Sequence, residues 1–268
     1  MISKDEHGDR MKALESVETS RRFDPALPIY ARIDGRGFSK FTRGMDRPFD
    51  TKMLDSMIGT TKYLVEHTHA AIGYVQSDEI SLVWDGNVDP KSEHFFGGKI
   101  QKMCSVLASM AAARFAVEYF TNFGEISAKC PHFDCRVVQM PDQTEAANML
   151  LWREIDARKN SVSMLARHYF SHRELHKKSS KEMLTMLADR GVRMNEQQQN
   201  FQRGTWVRRV TEDRLLTDEE RAMIPLKHQP PSGRLTRSRV QATVFPPFSE
   251  VSNRVDVIFA QAQPITQG

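Results

Sequence analysis

Apolar positions along the first half of the chain switch between two periods, and the switches lay out an order of elements. Residues 28–33, PIYARI, form a short apolar run between Pro28 and the Asp34-Gly35 turn signal, which predicts a strand. Over 50–69 the apolar residues Met53, Leu54, Met57, Ile58, Tyr63, Leu64 and Val65 recur at helical spacing, with Asp50 or Thr51 placed to cap the start. AIGYVQSDEISLVW then reads as two apolar strands around a tight connection. An Ala- and Met-rich stretch at about 96–119 predicts a second helix, and HFDCRVVQM, at about 132–140 between Pro131 and Pro141, predicts another strand.

That order of strand, helix, strand, strand, helix, strand is the split βαβ arrangement of ferredoxin-like folds. The expected class is therefore α+β, with an architecture shared by polymerase-type palms and a function that the fold alone does not fix. After Pro141, a long amphipathic helix is expected, capped by Asp142 or Thr144. HRELHKKSSKEMLTMLADRG follows as two helices broken at Ser179-Ser180 and stopped at Gly191, then the polar NEQQQNFQ and the short strand GTWVRRV. Residues 211–268 hold half of the twelve prolines and little periodicity beyond VDVIF, so an irregular C-terminal extension is expected there. The chain divides on this reading into an N-terminal segment (1–27), a palm-like core (28–145), a helical and short-strand region completing it (146–210) and the extension (211–268), with no internal repeat.

Composition narrows the class. With 268 residues and 40% hydrophobic content, the chain can bury an ordinary core, which excludes a disordered or fibrous protein. No run of about 18 apolar residues is present, so no membrane span is expected. The charged N-terminus lacks the apolar stretch of a signal peptide. Three cysteines make a sparse, odd set that suits a reducing cytoplasm. The formal charge of +4 is modest, but basic residues gather in the second half, in ARKN, HKKSSK, RGTWVRR and RLTRSR, while paired carboxylates lie in the first. This distribution suits an enzyme acting on nucleic acid; taken alone, solvated helix faces account for it equally well.

The chemistry concentrates at Gln-Ser-Asp-Glu, in the connection of the hairpin. A solvated turn explains Asp78, but Glu is not a favoured turn residue and Glu79 opens the second strand instead. In a split βαβ sheet the first and third strands pair centrally, so Asp34, at the end of the first, comes beside Asp78 and Glu79. Three carboxylates at one edge repel unless cations lie between them. Such oxygen ligands suit Mg²⁺, and two such ions about 3.5–4 Å apart clamp the attacking and leaving oxygens of a phosphoryl transfer. Gly35-Arg36-Gly37-Phe38 follows directly, with glycines that let backbone N–H groups approach a phosphate and an arginine that can pair with it. His168, His172 and His176 fall at i, i+4, i+8, one helix face that reads as a wet surface near RNA or a metal stripe. Cys130 and Cys135 lack the second pair a zinc site needs.

These residues resemble the histidine-tRNA guanylyltransferase family and its guanylyltransferase-like members, the 3′-to-5′ nucleotide polymerases. The matching pieces, in family order over about 28–207, are IDGRGFSKFT (33–42), RPFD (47–50), YVQSDEISLVW (74–84), FDCRVVQMP (133–141), LLWREIDARKNSVSMLAR (150–167) and FQRGTWV (201–207). The resemblance implies a catalytic core binding two Mg²⁺ ions, with GTP and ATP as substrates, tRNA as partner, a homotetrameric assembly and a cytoplasmic location. By motif position, Asp34, Asp78 and Glu79 are the catalytic carboxylates; Asp34 and Asp78, with the Gly35 carbonyl, are the metal ligands, and Glu79 coordinates or orients. Gly35, Arg36, Gly37, Phe38, Arg47 and Ser77 would meet the nucleotide, while Arg153, Arg158, Lys159, Asn160 and Arg203 would meet RNA or phosphate. The chain departs from the eukaryotic His-Ile-Asn-Asn pattern with Arg158-Lys159-Asn160-Ser161, and from Arg-Lys-Gly with Gln202-Arg203-Gly204. These departures favour templated repair of truncated tRNA 5′ ends over strict histidine-tRNA guanylylation. A palm-fold nucleotidyl cyclase and a non-catalytic RNA-binding relative are the alternatives.

Overall fold

The computed structural model describes residues 4–86 and 93–266. A first helix, α1 (Lys4–Thr19), precedes β1 (Ile29–Gly35), the single turn α2 (Phe38–Phe41) and α3 (Thr51–Thr68). The hairpin β2 (Ile72–Gln76) and β3 (Glu79–Trp84) follows, then α4 (Ile100–Phe123) and β4 (Phe133–Gln139). The second half carries α5 (Gln143–Tyr169), α6 (His172–Leu175), α7 (Ser180–Asp189), α8 (Gln199–Arg203) and β5 (Thr205–Leu215). It ends with α9 (Asp218–Met223), β6 (Arg234–Thr243) and α10 (Arg254–Phe259). The strands form one sheet in the order β4-β1-β3-β2-β5-β6, antiparallel at every pairing. Within the first four strands, β1 and β3 are central and the helical crossovers are α3 and α4, as the order of elements predicts.

Both faces of the sheet are covered, which is why its central strands read as almost unbroken apolar runs. Ile29, Ala31, Ile33, Ile80 and Leu82 pack with Met57 and Leu64 of α3 and Met103, Leu107 and Phe115 of α4. On the other face Tyr30, Tyr74, Val83 and Trp206 meet Ala146 and Leu150 of α5 and, from the C-terminal segment, Phe248 and Val257. Asp50 caps α3 by accepting from the Met53 N–H, Asp142 caps α5, and Ser179 opens α7 with a capping box to Glu182. α4 is long and apolar enough to cross a membrane, but Met103, Leu107, Ala111, Phe115 and Tyr119 are buried along one face, which makes it a core helix.

Three expectations are corrected. α4 begins at Ile100, not near 96, because Phe96 and Gly97 take left-handed backbone angles (φ 54° and 57°). The three histidines do not share a helix: α5 ends at Tyr169, and His172 and His176 belong to the separate turn α6 and its cap. The region after 210 is not irregular. β5 runs through it to Leu215 and pairs with β6 over ten positions, from Trp206 opposite Thr243 to Leu215 opposite Arg234. The outer part of this ribbon is solvated on both faces, so its sequence shows no apolar period. Its cross-strand pairs are exposed, Arg234–Asp213 at 3.0 Å among them, and each adds little.

Beyond β6 the chain folds back over α5. The buried Glu154 of α5 accepts a hydrogen bond from the Phe248 N–H at 2.7 Å, while Arg208 donates to the Gln261 and Ala262 carbonyls at 3.2 and 2.8 Å. The second carboxylate oxygen of Glu154 is buried with no hydrogen-bond partner among the described residues. Burial therefore pushes the pKa of Glu154 up to about 7, against the opposing pull of the Phe248 N–H, Arg203 and Arg158. A carboxyl raised on folding favours the native state while protonated, so its contribution is full below the unfolded value of 4.5 and is lost as pH rises through about 7. The span between those values corresponds to roughly 3 kcal/mol. Glu154→Gln should flatten the fall in melting temperature between about pH 5 and pH 8; an unchanged pH profile in the variant would remove Glu154 as its source.

Candidate active site

The site starts from strand register. Asp34 lies opposite Glu79 on one side and Asp134 on the other, and the next row inward is Arg32 between Ser81 and Arg136. Directly opposed residues project to the same face with Cβ atoms about 4.5–5.5 Å apart. A carboxylate row, Asp134, Asp34 and Glu79, thus crosses three strands on the face that α5 covers. Asp134 leans on Arg136 at 3.3 Å.

A two-residue turn, Ser77-Asp78, joins β2 to β3, and Ser77 takes the positive φ (51°) that such hairpins use. The tip is docked on the end of β1, because the Gly35 N–H donates to the Asp78 carbonyl at 3.0 Å. Asp78 accepts from the Ser77 hydroxyl at 3.1 Å. Burial raises the Asp78 pKa and the charge of Asp34 raises it further, while its own backbone and Ser77 hold it down. Two carboxylates are therefore brought together against their repulsion, which is the arrangement a cation relieves.

Glu79 is in a different state. Its two oxygens accept from Arg153 Nε at 2.7 Å and Nη2 at 2.6 Å, and both side chains are buried. The guanidinium also reaches Asp156 at 3.2 Å and lies 4.6 Å from the centre of the Trp152 ring. Burial raises the Glu79 pKa and the Arg153 pair opposes that. Arg153, expected at the RNA, is thus committed to an internal ion pair because α5 crosses the sheet directly above Glu79. Among the described residues no cluster of three or more His, Cys, Asp or Glu side chains has the geometry of a metal site. Asp34 and Asp78 make no salt bridge among the described residues, and a pair of this kind matches the one or two protein carboxylates a magnesium ion takes when substrate phosphates and water complete its shell.

After β1 the glycines serve packing as well as access. A Cβ on Gly35 would fall 2.4 Å from the Phe38 ring. That ring is buried against Phe41, Phe115 and Phe133, with centroids 5.0 to 5.5 Å away. Phe38 is thus first of all a core anchor. Gly37 starts α2 with φ +70° and no side-chain cap. The Arg36 N–H is taken by the His132 carbonyl at 2.8 Å, and its side chain is exposed.

A cavity of about 290 Å³ opens between the hairpin tip, the loop after α2 and the α5–α8 corner. Of the residues expected to meet nucleotide, Phe38, Arg47 and Ser77 line it, with Asp78, while Gly35, Arg36 and Gly37 do not. Asp50 shapes the loop by accepting from the Asp46 N–H at 3.1 Å. Arg158, Lys159 and Asn160 are exposed on α5, outside the cavity. Arg203 is half-buried, and its carbonyl accepts from the Tyr74 hydroxyl at 2.7 Å. Two residues of the site, Asp134 and Asp46, were not singled out by sequence. For Asp134 the signal was the alternation of HFDCRV, which sets it level with Asp34 once β4 pairs with β1.

A family model for tRNAHis guanylyltransferase matches residues 8–141. The chain belongs to that family. Its nucleotidyltransferase members include the tRNA(His) guanylyltransferase of Schizosaccharomyces pombe, 31% identical over 154 residues, which are 55% of this chain and 57% of that protein. Two solved structures of bacterial tRNA(His) guanylyltransferase (Thg1)-like proteins match over three quarters or more of this chain. The one in complex with ATP is 32% identical over 75% of this chain and 87% of its own, with a TM-score of 0.70. The one in complex with GTP is 28% identical over 90% and 93%, also with a TM-score of 0.70. The match to the S. pombe enzyme thus spans little more than half of that protein, whereas the bacterial structures are covered almost fully.

Removing one member of a buried ion pair leaves the other uncompensated, at a cost of about 3–5 kcal/mol. Arg153→Ala should lower stability to urea by that amount, and Arg153→Met combined with Glu79→Leu should recover most of it. If the double variant were as unstable as Arg153→Ala, packing rather than charge pairing would be what Arg153 contributes.

Proposed function

We propose that this protein is a two-metal-dependent nucleotidyltransferase that adds nucleotides to tRNA 5′ ends in the 3′-to-5′ direction, using its four-stranded βαββαβ unit as a polymerase-type palm. The observation that carries the reading is the docking of Asp78 against the end of β1 through the Gly35 N–H, which sets its carboxylate beside Asp34. Asp34, Asp78 and the Gly35 carbonyl would hold two Mg²⁺ ions, which when bound would neutralise charge developing on the transferring phosphoryl group. Glu79, fixed by Arg153, orients this edge of the site rather than coordinating. The bacterial relatives' complexes with ATP and with GTP support nucleotide binding, and the cavity beside the hairpin tip is where we place it. Arg36 from the turn after β1 and Arg47 from the loop after α2 meet the triphosphate, and the exposed Arg158, Lys159 and Asn160, with Arg203, meet the RNA backbone.

The reaction needs a 5′-monophosphate first joined to AMP from ATP with loss of pyrophosphate, or a 5′-triphosphate used directly. The 3′-hydroxyl of the incoming nucleotide then attacks that 5′-phosphorus and expels AMP or pyrophosphate. Arg158-Lys159 in place of the eukaryotic histidine pattern supports repair of truncated tRNAs as the principal task. We also propose a homotetramer, for which the exposed Val117 and Phe120 on the outer face of α4 are apolar surface to cover.

The test offers purified protein two 5′-labelled tRNAs, a histidine tRNA lacking its extra guanosine and a tRNA lacking its first nucleotide, with Mg²⁺, ATP and all four nucleoside triphosphates. Templated extension of the truncated tRNA, reduced at least a hundredfold in Asp34→Ala and Asp78→Ala, is expected. Extension of the histidine tRNA alone would restrict the activity to guanylylation. RNA binding without extension of either would make the protein a non-catalytic relative.

A further inference from the structure

The chain has three tryptophans, and they are not alike. Trp84 and Trp206 are 4% and 1% exposed, whereas Trp152 is 50% exposed on α5. A single exposed apolar side chain is ordinary on a protein surface, so exposure alone assigns Trp152 no role. Its place is specific. One face lies against the Arg153 guanidinium, 4.6 Å from the ring centre, and that guanidinium is pinned in bidentate fashion to Glu79, which lies opposite Asp34. The ring thus rests on a guanidinium fixed by a buried ion pair, three steps from Asp34 through Arg153 and Glu79.

What lies beyond the ring fits a strand of nucleic acid. Seven residues further along α5, and so on nearly the same helix face, is the exposed Lys159, preceded by the exposed Arg158. Seven helical residues span about 10 Å, the separation of a stacked base from a phosphate roughly three residues away at about 3.4 Å per residue. Single-stranded nucleic acid is gripped by this combination of aromatic faces for bases and cations for the backbone.

We propose that Trp152 is the stacking platform for an unpaired base at the 5′ end of the RNA substrate, with Lys159 holding a phosphate along the same helix face, so that the RNA end is presented beside Asp34 and Asp78. The proposal rests on the reading of the protein as an enzyme acting on RNA ends, and names the residue that positions the end. Trp152 binds; it takes no part in bond making. The alternative duty for the ring is to hold Arg153 in place.

Fluorescence separates the two duties, because an aqueous quencher reaches Trp152 and not the two buried indoles. Titration with a tRNA lacking its first nucleotide should quench the emission and shield it from acrylamide, and both effects should vanish in Trp152→Phe. Loss of a base–aromatic stack corresponds to about 5- to 150-fold in affinity. Trp152→Leu, which still covers Arg153, should therefore raise the KM for truncated tRNA at least fivefold and leave the KM for nucleotide within twofold. Trp152→Phe should restore most of the RNA affinity. RNA that binds the wild type without quenching or shielding the indole would overturn the proposal, as would a Trp152→Leu variant that loses kcat with its RNA KM unchanged. Wild-type protein that neither binds nor extends the RNA would overturn the functional reading itself, and this proposal with it.

Discussion

A buried ion pair between Arg153 and Glu79 is the constraint on which the site depends. Taking two charges out of water costs several kcal/mol each, and only close, doubled hydrogen bonds offset it. Here the guanidinium meets both oxygens at 2.6 and 2.7 Å. The pair joins α5 to β3 at one point and so fixes how the helical half sits on the sheet. It also divides three neighbouring carboxylates into one that is neutralised inside the protein and two that are not. Without Arg153, only the more distant charge of Arg32 would ease the repulsion at Glu79; with it, the remaining need for positive charge falls on Asp34 and Asp78.

Around that pair, the loops carry two duties at once. Gly35 leaves room for the Phe38 ring and gives its N–H to Asp78, so the same small residue sets the core and the distance between the carboxylates. Asp50 caps α3 and ties the loop that walls the cavity. A site built from such shared residues is rigid because it is part of the core. It will tolerate few changes at positions that touch no substrate.

The four-stranded centre was legible because its signals are local: apolar runs of strand length, a helical period over 50–69, Pro131 and Pro141 as punctuation. Asp34, Asp78 and Glu79 were legible as a group because the strand order brings the end of β1 to the hairpin tip. The state of Glu79 was not, since its partner lies 74 residues away on a helix whose crossing point no local pattern fixes. Arg153 looked like one of many basic residues for the same reason. The outer part of β5 and the whole of β6 were missed because strands solvated on both faces lose the alternation that reveals a strand, although GTWVRRV had marked the start of β5. The histidine series failed for a more particular cause: α5 ends at Tyr169, where Phe170 turns to extended angles and Ser171 caps a new turn.

The division between Asp34 and Asp78 on one side and Glu79 on the other is tested most directly by titrating Mn²⁺ into the protein with GTP present, following the free ion by electron paramagnetic resonance. Asp34→Asn and Asp78→Asn should each weaken Mn²⁺ binding at least tenfold, while Glu79→Gln should leave it within about threefold, differences of about 1.4 and 0.7 kcal/mol. Binding undiminished in Asp34→Asn and Asp78→Asn, or lost as fully in Glu79→Gln, would contradict the assignment of the metal to the carboxylates that Arg153 leaves free.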